Sequence, residues 1–119
     1  MDTGDKRRFP RFKVLECAMF YTAGATEPLR GIIADIGLGG VQLHTKLPLP
    51  LEVMCKIVVG RDGKPPLDIN GVVVYSHPGG EDQLYISGFK FIPQTKEERL
   101  DVANYVHSMF QRQWEELAG

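Results

Sequence analysis

Short runs in which apolar and polar residues alternate cover most of the chain and predict β-strands. The six predicted strands cover residues 13–21, 30–36, 41–45, 53–60, 67–76 and 84–92. Residues 37–40, Gly-Leu-Gly-Gly, separate the second strand from the third and predict a tight turn with an unusual backbone conformation. Asp62-Gly63, between the fourth and fifth runs, is a strong hairpin signal. Strands spaced about ten residues apart predict a sandwich or a closed barrel.

The end of the chain predicts a helix over about residues 95–117. Thr95 and Glu98 form a Thr-x-x-Glu capping box, in which Thr95 caps the third helical amide and the Glu98 side chain returns to the cap backbone. Apolar residues then recur at steps of three and four. They are Leu100, Ala103, Val106, Phe110, Trp114 and Leu117. We expect this stripe to seal an open end or a flank of the barrel, while its outer residues are a candidate surface for a partner.

Length and charge narrow the classes of protein that fit. With 119 residues, the chain fits one folded domain over 13–119, preceded by a flexible basic segment over 1–12. Its 14 basic and 15 acidic residues give a net charge of -1, which argues against binding long nucleic acid or an anionic membrane. No run approaches the roughly 18–20 apolar residues of a membrane span, and the amino terminus does not look like a secretory signal. These features predict a cytoplasmic protein.

Patterns that would support catalysis or metal binding do not occur in the sequence. His44, His77 and His107 are far apart, and no metal-ligand spacing, nucleophile motif or phosphate loop is present. Cys17 and Cys55 lie in apolar runs and are expected to be buried free thiols. We therefore expect a protein that is not an enzyme and has no metal or cofactor.

A cluster of arginines near the amino terminus is the first feature that suggests a ligand. Arg7, Arg8 and Arg11 could form an ordinary solvated basic tail. The alternative is a clamp, because guanidinium groups bind phosphates with two parallel hydrogen bonds and stack on flat heteroaromatic rings. Pro10 and the flanking phenylalanines restrict the backbone of this segment.

The segment Asp35-Ile-Gly37-Leu-Gly-Gly40 is the second such feature. It could be only a strand followed by a turn. However, a carboxylate has two acceptor oxygens that match the adjacent N–H donors on the edge of guanine, and glycines let a ligand approach backbone amides closely.

The two features in this order resemble the PilZ domain family. Arg7 and Arg11 match its Arg-x-x-x-Arg motif, and Asp35, position 37 and Gly40 match its Asp-x-Ser-x-x-Gly motif. Residues 69–75 look like a late strand of the family, and residues 88–91 look like its Gly-x-x-Phe strand, just before a terminal helix. The resemblance spans nearly the whole chain.

The resemblance implies an all-β fold, a six-stranded antiparallel β-barrel with a C-terminal helix, that binds the bacterial second messenger cyclic di-GMP. Carried over by position, Arg7 and Arg11 hold phosphate and stack on guanine with help from Arg8, and Asp35 binds a guanine edge. Gly40 keeps the turn open, and Tyr75 stands where relatives place an aromatic residue that stacks on a base. Gly37 replaces the family's serine, and a lost neutral hydrogen bond weakens binding by about 0.5–1.5 kcal/mol.

The leading hypothesis is thus a cyclic di-GMP receptor and adaptor, in which the ligand orders the amino-terminal segment and creates a surface for an unidentified protein effector. One alternative is a PilZ-like interaction module that has lost nucleotide binding, for which Gly37 is the main support. A barrel that binds RNA or single strands would need basic residues along a groove, whereas in this chain they lie mainly at one end.

Overall fold

A computed structural model describes residues 11–22, 27–80 and 83–118, which form six antiparallel strands and one helix. The elements are β1 Arg11–Thr22, β2 Leu29–Gly37, β3 Gly40–Thr45, β4 Met54–Arg61, β5 Lys64–Pro78, β6 Tyr85–Phe91 and α1 Lys96–Ala118. The strands close into a barrel in the order β1-β2-β3-β6-β5-β4. Each predicted strand is present, and β1 begins at Arg11, two residues before its predicted start. Arg11 is therefore part of the barrel.

The core of the barrel is formed by alternate residues of its strands. Ile33, Leu43, Ile57, Ile69 and Phe89, from five different strands, are at most 2% exposed. Burying side chains of this size contributes about 1.5–3 kcal/mol each to folding. Because neighbouring residues of a strand point to opposite faces, the residues between these positions lie on the outer surface, where a ligand can reach them.

The two cysteines differ in burial, so the prediction that both are buried was wrong for Cys17. Cys17 is exposed because it faces outward from β1, next to the inward-facing Ala18. Cys55 is buried, its thiol donates to the carbonyl oxygen of Gly71 at 3.4 Å, and burial raises the pKa of this thiol to about 11. The buried thiol is therefore protonated and unreactive at neutral pH.

The start of α1 is capped as predicted, but only one half of the capping box forms. The backbone N–H of Glu98 donates to Thr95 Oγ1 at 3.0 Å. The carboxylate of Glu98 does not complete the box. It instead accepts from Asn70 Nδ2 on β5, at 3.0 and 3.2 Å. Glu98 thus fastens the first turn of the helix to the barrel.

The face of α1 that packs on the barrel is not the predicted stripe. The buried residues are Val102, Tyr105, Val106 and Met109. This row is shifted by one residue toward the amino terminus from the predicted row, and the two rows share only Val106. The shifted row packs on the barrel because Tyr105 and Met109 supply the apolar surface that fits it. Ala103 is half-buried, and the remaining four predicted residues are 50–84% exposed: Leu100, Phe110, Trp114 and Leu117.

The second half of α1 lies beside β1. Arg112 forms a 3.3 Å ion pair with Glu16, and its guanidinium also donates to the sulfur of Met109 at 2.8 Å. Burial raises the pKa of Tyr105 to about 12, and the negative charge of Glu16 acts in the same direction. A cavity of about 220 Å³ lies between this part of the helix and the β4–β5 hairpin, and the side chains that line it carry both signs of charge, including Arg61 and Asp101.

Within residues 11–22, 27–80 and 83–118, no helix combines the length and the apolar character that crossing a bilayer requires.

Candidate ligand-binding surface

The connection between β2 and β3 is a two-residue turn made of Leu38 and Gly39. The carbonyl oxygen of Gly39 accepts from the backbone N–H of Phe91 at 3.0 Å, which holds the turn against the end of β6. Among the described residues, positive φ angles occur at Glu52, Gln83, Gly63 and Gly80, and none occurs in 37–40. The tight turn was therefore predicted correctly, whereas the unusual backbone conformation was not.

Gly40 is required for packing between β3 and β6. A Cβ at this position would lie 2.2 Å from the carbonyl oxygen of Phe89, so a side chain there would push the two strands apart. Gly37, at the end of β2, is buried and lies opposite Arg11 of β1 in the strand register. Because φ of Gly37 is not positive, its backbone conformation is one that a serine also adopts.

Four paired positions form a line across the outside of the barrel, and we call them the outer row. Asp35 on β2 pairs with Gln42 on β3, Gln42 pairs with Gly88 on β6, and Gly88 pairs with Tyr75 on β5. Neighbouring strands are about 4.8 Å apart, so the row spans roughly 14 Å. Asp35, Gln42 and Tyr75 are half-buried and keep part of their surface exposed.

The side chain of Tyr75 lies across β6 and reaches β3. Its hydroxyl oxygen accepts from Gln42 Nε2 at 3.3 Å. The ring stacks with that of His77, with centroids 5.6 Å apart and an angle of 18° between the planes. The amide oxygen of Gln42, Oε1, lies 3.3 Å from His44 Nε2, so both ends of the Gln42 amide have a partner. The tyrosine ring is therefore held in one place on the outer surface.

The structure brings most of the predicted site residues to one region of the barrel. Asp35 and Tyr75 are members of the outer row, Gly37 is two residues beyond Asp35, and Arg11 is opposite Gly37. Arg7 and Arg8 lie outside the described residues.

Sequence reasoning missed four residues of this surface: Gln42, His44, His77 and Gly88. The strand alternation contains a signal for three of them. Gln42 and His44 occupy alternate positions between buried residues of β3, and His77 is two residues from Tyr75 on β5. The role of Gly88 depends on contacts between strands that are distant in sequence, so alternation does not reveal it.

Among the described residues, no group of three or more His, Cys, Asp or Glu side chains is placed to hold a metal ion.

Comparison with family models gives a match to the PilZ domain over residues 5–108. Comparison with curated proteins gives no match. Solved structures show the same fold. The PilZ domain of YcgR from Escherichia coli, solved with c-di-GMP, has a TM-score of 0.71 and 13% identity, and the alignment covers 96% of this chain and 98% of that one.

Two longer proteins also share this fold. MrkH of K. pneumonia, solved in complex with c-di-GMP, has a TM-score of 0.77 and 20% identity, and the alignment covers 94% of this chain and 56% of that one. MotI/DgrA of Bacillus subtilis, an inhibitor of motility, has a TM-score of 0.70 and 10% identity, and the corresponding coverages are 93% and 53%. The chain thus spans about half the length of these two proteins.

Proposed function

The chain belongs to the PilZ domain family, and from this premise we propose that it is a cytoplasmic cyclic di-GMP receptor that acts as an adaptor and not as an enzyme. The observation that carries the proposal is the strand register. It places Arg11 opposite Gly37 and puts Asp35 and Tyr75 on one outer row. The backbone positions of a residue suited to a phosphate, one suited to a guanine edge and one suited to a base face thus lie in one region of the barrel.

Each part of the dinucleotide has a partner of matching chemistry. Arg7 and Arg11 bind the phosphates and stack on guanine, and Arg8 assists them, because a guanidinium offers both a fork of donors and a flat face. Asp35 accepts from the adjacent N–H donors of a guanine edge. Tyr75 stacks on a base.

The adaptor function follows from the place of the arginines in the chain. Arg7 and Arg8 precede β1, so a ligand bound to them and to Asp35 joins the segment before β1 to the barrel. A protein effector then binds the surface formed by the ligand, the amino-terminal segment and the barrel. The exposed side chains of Phe110, Trp114 and Leu117 on α1 are a second surface available to such a partner.

We expect cyclic di-GMP to bind with a dissociation constant in the micromolar range or tighter, with a favourable enthalpy and an affinity that falls as salt is added. The reason is that two phosphates meet arginines, and ions screen such contacts. Isothermal calorimetry at low and high salt measures this, with GTP and a linear dinucleotide as control ligands. A flat titration at high protein concentration would contradict the receptor function and favour an interaction module that does not bind nucleotide.

We also expect the ligand to protect the amino-terminal segment from trypsin. Cleavage after Arg7 and Arg8 should slow when cyclic di-GMP is present, because ordered backbone is a poor protease substrate. Cleavage after Arg61, which ends β4 away from the outer row, is the internal control and should not change. Equal rates at Arg7 and Arg8 with and without ligand would contradict ordering of this segment by the ligand.

A further inference from the structure

Tyr75 is held in place by residues that lie outside the arginine motif and the Asp35–Gly40 segment. We infer that Gly88 and Gln42 are positioning residues, which hold the Tyr75 ring where it stacks on a base of the bound dinucleotide. The inference rests on the proposed function and deepens it, because it states what makes the stacking surface available before the ligand arrives.

Gly88 provides the space that the ring occupies. A Cβ on Gly88 would lie 2.2 Å from Cε2, 2.7 Å from Cζ and 2.8 Å from Cδ2 of Tyr75. Gly88 is an outward position of β6, between the inward-facing Ser87 and Phe89, and it is buried although it faces outward. The ring of Tyr75 is what covers it. Any side chain at position 88 would displace the ring from the outer row.

Gln42 fixes the far end of the ring. Its amide donates to the Tyr75 hydroxyl at 3.3 Å, and its amide oxygen lies 3.3 Å from His44 Nε2. A hydrogen bond at the hydroxyl limits rotation about χ1, and the close contact of the ring with Gly88 limits rotation about χ2. His77 adds a stacked ring beside it.

The backbone of β5 aims Tyr75 toward Gly88. The register between β5 and β6 shifts between Val73 and Tyr75, and such a bulge re-aims the side chain that follows it. The next residue, Ser76, faces the interior and accepts from Ser87 Oγ at 2.8 Å and from the backbone N–H of Leu49 at 3.1 Å. These two bonds hold the bulged segment from the inside.

A ring that is already in position costs less entropy to use than one that must be ordered by the ligand. Truncation of an aromatic side chain that stacks on a base lowers affinity by about tenfold or more. Displacing the ring without removing it should have a similar effect. Gly88 thus contributes to binding by having no side chain, although it does not contact the ligand itself.

The test is a double-mutant cycle measured by calorimetry with cyclic di-GMP. We expect Gly88→Ala to weaken binding by about fivefold or more, and Tyr75→Ala to weaken it by about tenfold. In the Tyr75→Ala background, Gly88→Ala should cause no further loss, because no ring remains to be displaced. Gly60→Ala is the matched control, since a Cβ on this strand glycine meets no atom within 4 Å and its φ is not positive.

A second double-mutant cycle leaves Gly88 unchanged. It therefore tests the inference even if the Gly88→Ala protein does not fold. Gln42→Leu should weaken binding by about threefold through loss of the bond to the hydroxyl, and it should cause a smaller loss in the Tyr75→Phe protein, which lacks that hydroxyl. Thermal melting of each variant reports whether the barrel is intact.

The outcomes separate this inference from the proposed function. Wild-type affinity in the folded Gly88→Ala protein, or independent and additive losses in both cycles, would overturn the inference and leave the receptor function standing. Absence of binding by the wild-type protein would overturn the receptor function, and with it the stacking role of Tyr75. A loss of affinity in the folded Gly88→Ala protein that disappears in the Tyr75→Ala background, with normal binding by Gly60→Ala, would support the inference. If Gly88→Ala does not fold, coupled losses in the Gln42 cycle would support it.

Discussion

Arg11→Ala is expected to lower the affinity for cyclic di-GMP at least tenfold while leaving the melting temperature of the ligand-free protein nearly unchanged. A charge-assisted hydrogen bond to phosphate is worth about 1.5–3 kcal/mol, and it is lost with the side chain. Stability should change little, because Arg11 is the first residue of β1 and alanine preserves its backbone pairing with Gly37. We expect the same result for Arg7→Ala, which precedes the barrel. Calorimetry and thermal melting measure the two quantities.

Arg30→Ala is the matched control for this prediction. Arg30 is an exposed residue near the other end of β2, so its removal changes the net charge by the same amount without touching the outer row. Its effect on affinity should be limited to the small change that a weaker long-range attraction causes. If Arg11→Ala and Arg7→Ala lower the melting temperature and spare binding, the basic segment is a structural strap and the phosphate assignment is wrong.

Asp35→Ala is expected to cost at least tenfold in affinity and also to lower the melting temperature of the ligand-free protein. The loss of affinity follows from removing both acceptor oxygens from the guanine edge, which leaves two donors of the ligand unpaired. The loss of stability follows because Asp35 also has a partner within the protein. The same two measurements apply, so the Asp35 and Arg11 variants should differ in their melting temperatures.

Asp68→Ala controls for the removal of a negative charge. Asp68 is an exposed residue of β5 that pairs with Lys56 at 3.1 Å. Removing either aspartate makes the protein more attractive to an anion, so long-range electrostatics predicts slightly tighter binding for both variants. A strong loss confined to Asp35→Ala would therefore report a direct contact, whereas equal affinities of the two variants would rule out the guanine-edge assignment.

The strands could be predicted from the sequence because their alternation reflects burial on one face of each strand. Ile33, Leu43 and Ile57 occupy predicted strands and all face the interior. The packing face of the helix was predicted less well. Two apolar rows run side by side along α1, and the row that contains Tyr105 and Met109 packs on the barrel, where the aromatic residue and the methionine fill the available space. The choice between adjacent rows depends on the shape of the surface beneath them.

The same holds for the candidate site: residues close together in sequence could be predicted, whereas roles that depend on contacts between distant strands could not. Asp35, Gly37 and Gly40 are close in sequence and could be grouped by a motif, and Tyr75 was placed by the family resemblance. Gly88 could not be assigned to the site, because its role depends on a ring that comes from another strand. Likewise, the carboxylate of Glu98 was expected to complete a local cap, and it binds Asn70 on β5 instead.

The closure of the barrel limits the ways in which another protein can recognise this one. Because β1 pairs with β4 and completes the ring, each of the six described strands has a neighbour on both sides. The exception is the first part of β1, because its pairing with β4 covers only Ala18–Thr22 and leaves that side of residues 11–17 without a paired strand in the described part of the chain. Elsewhere on the barrel, extension of the sheet by a partner strand is disfavoured. On the closed part of the barrel, recognition depends on side chains, so substitutions on the outer surface can change the choice of partner while the barrel itself stays the same.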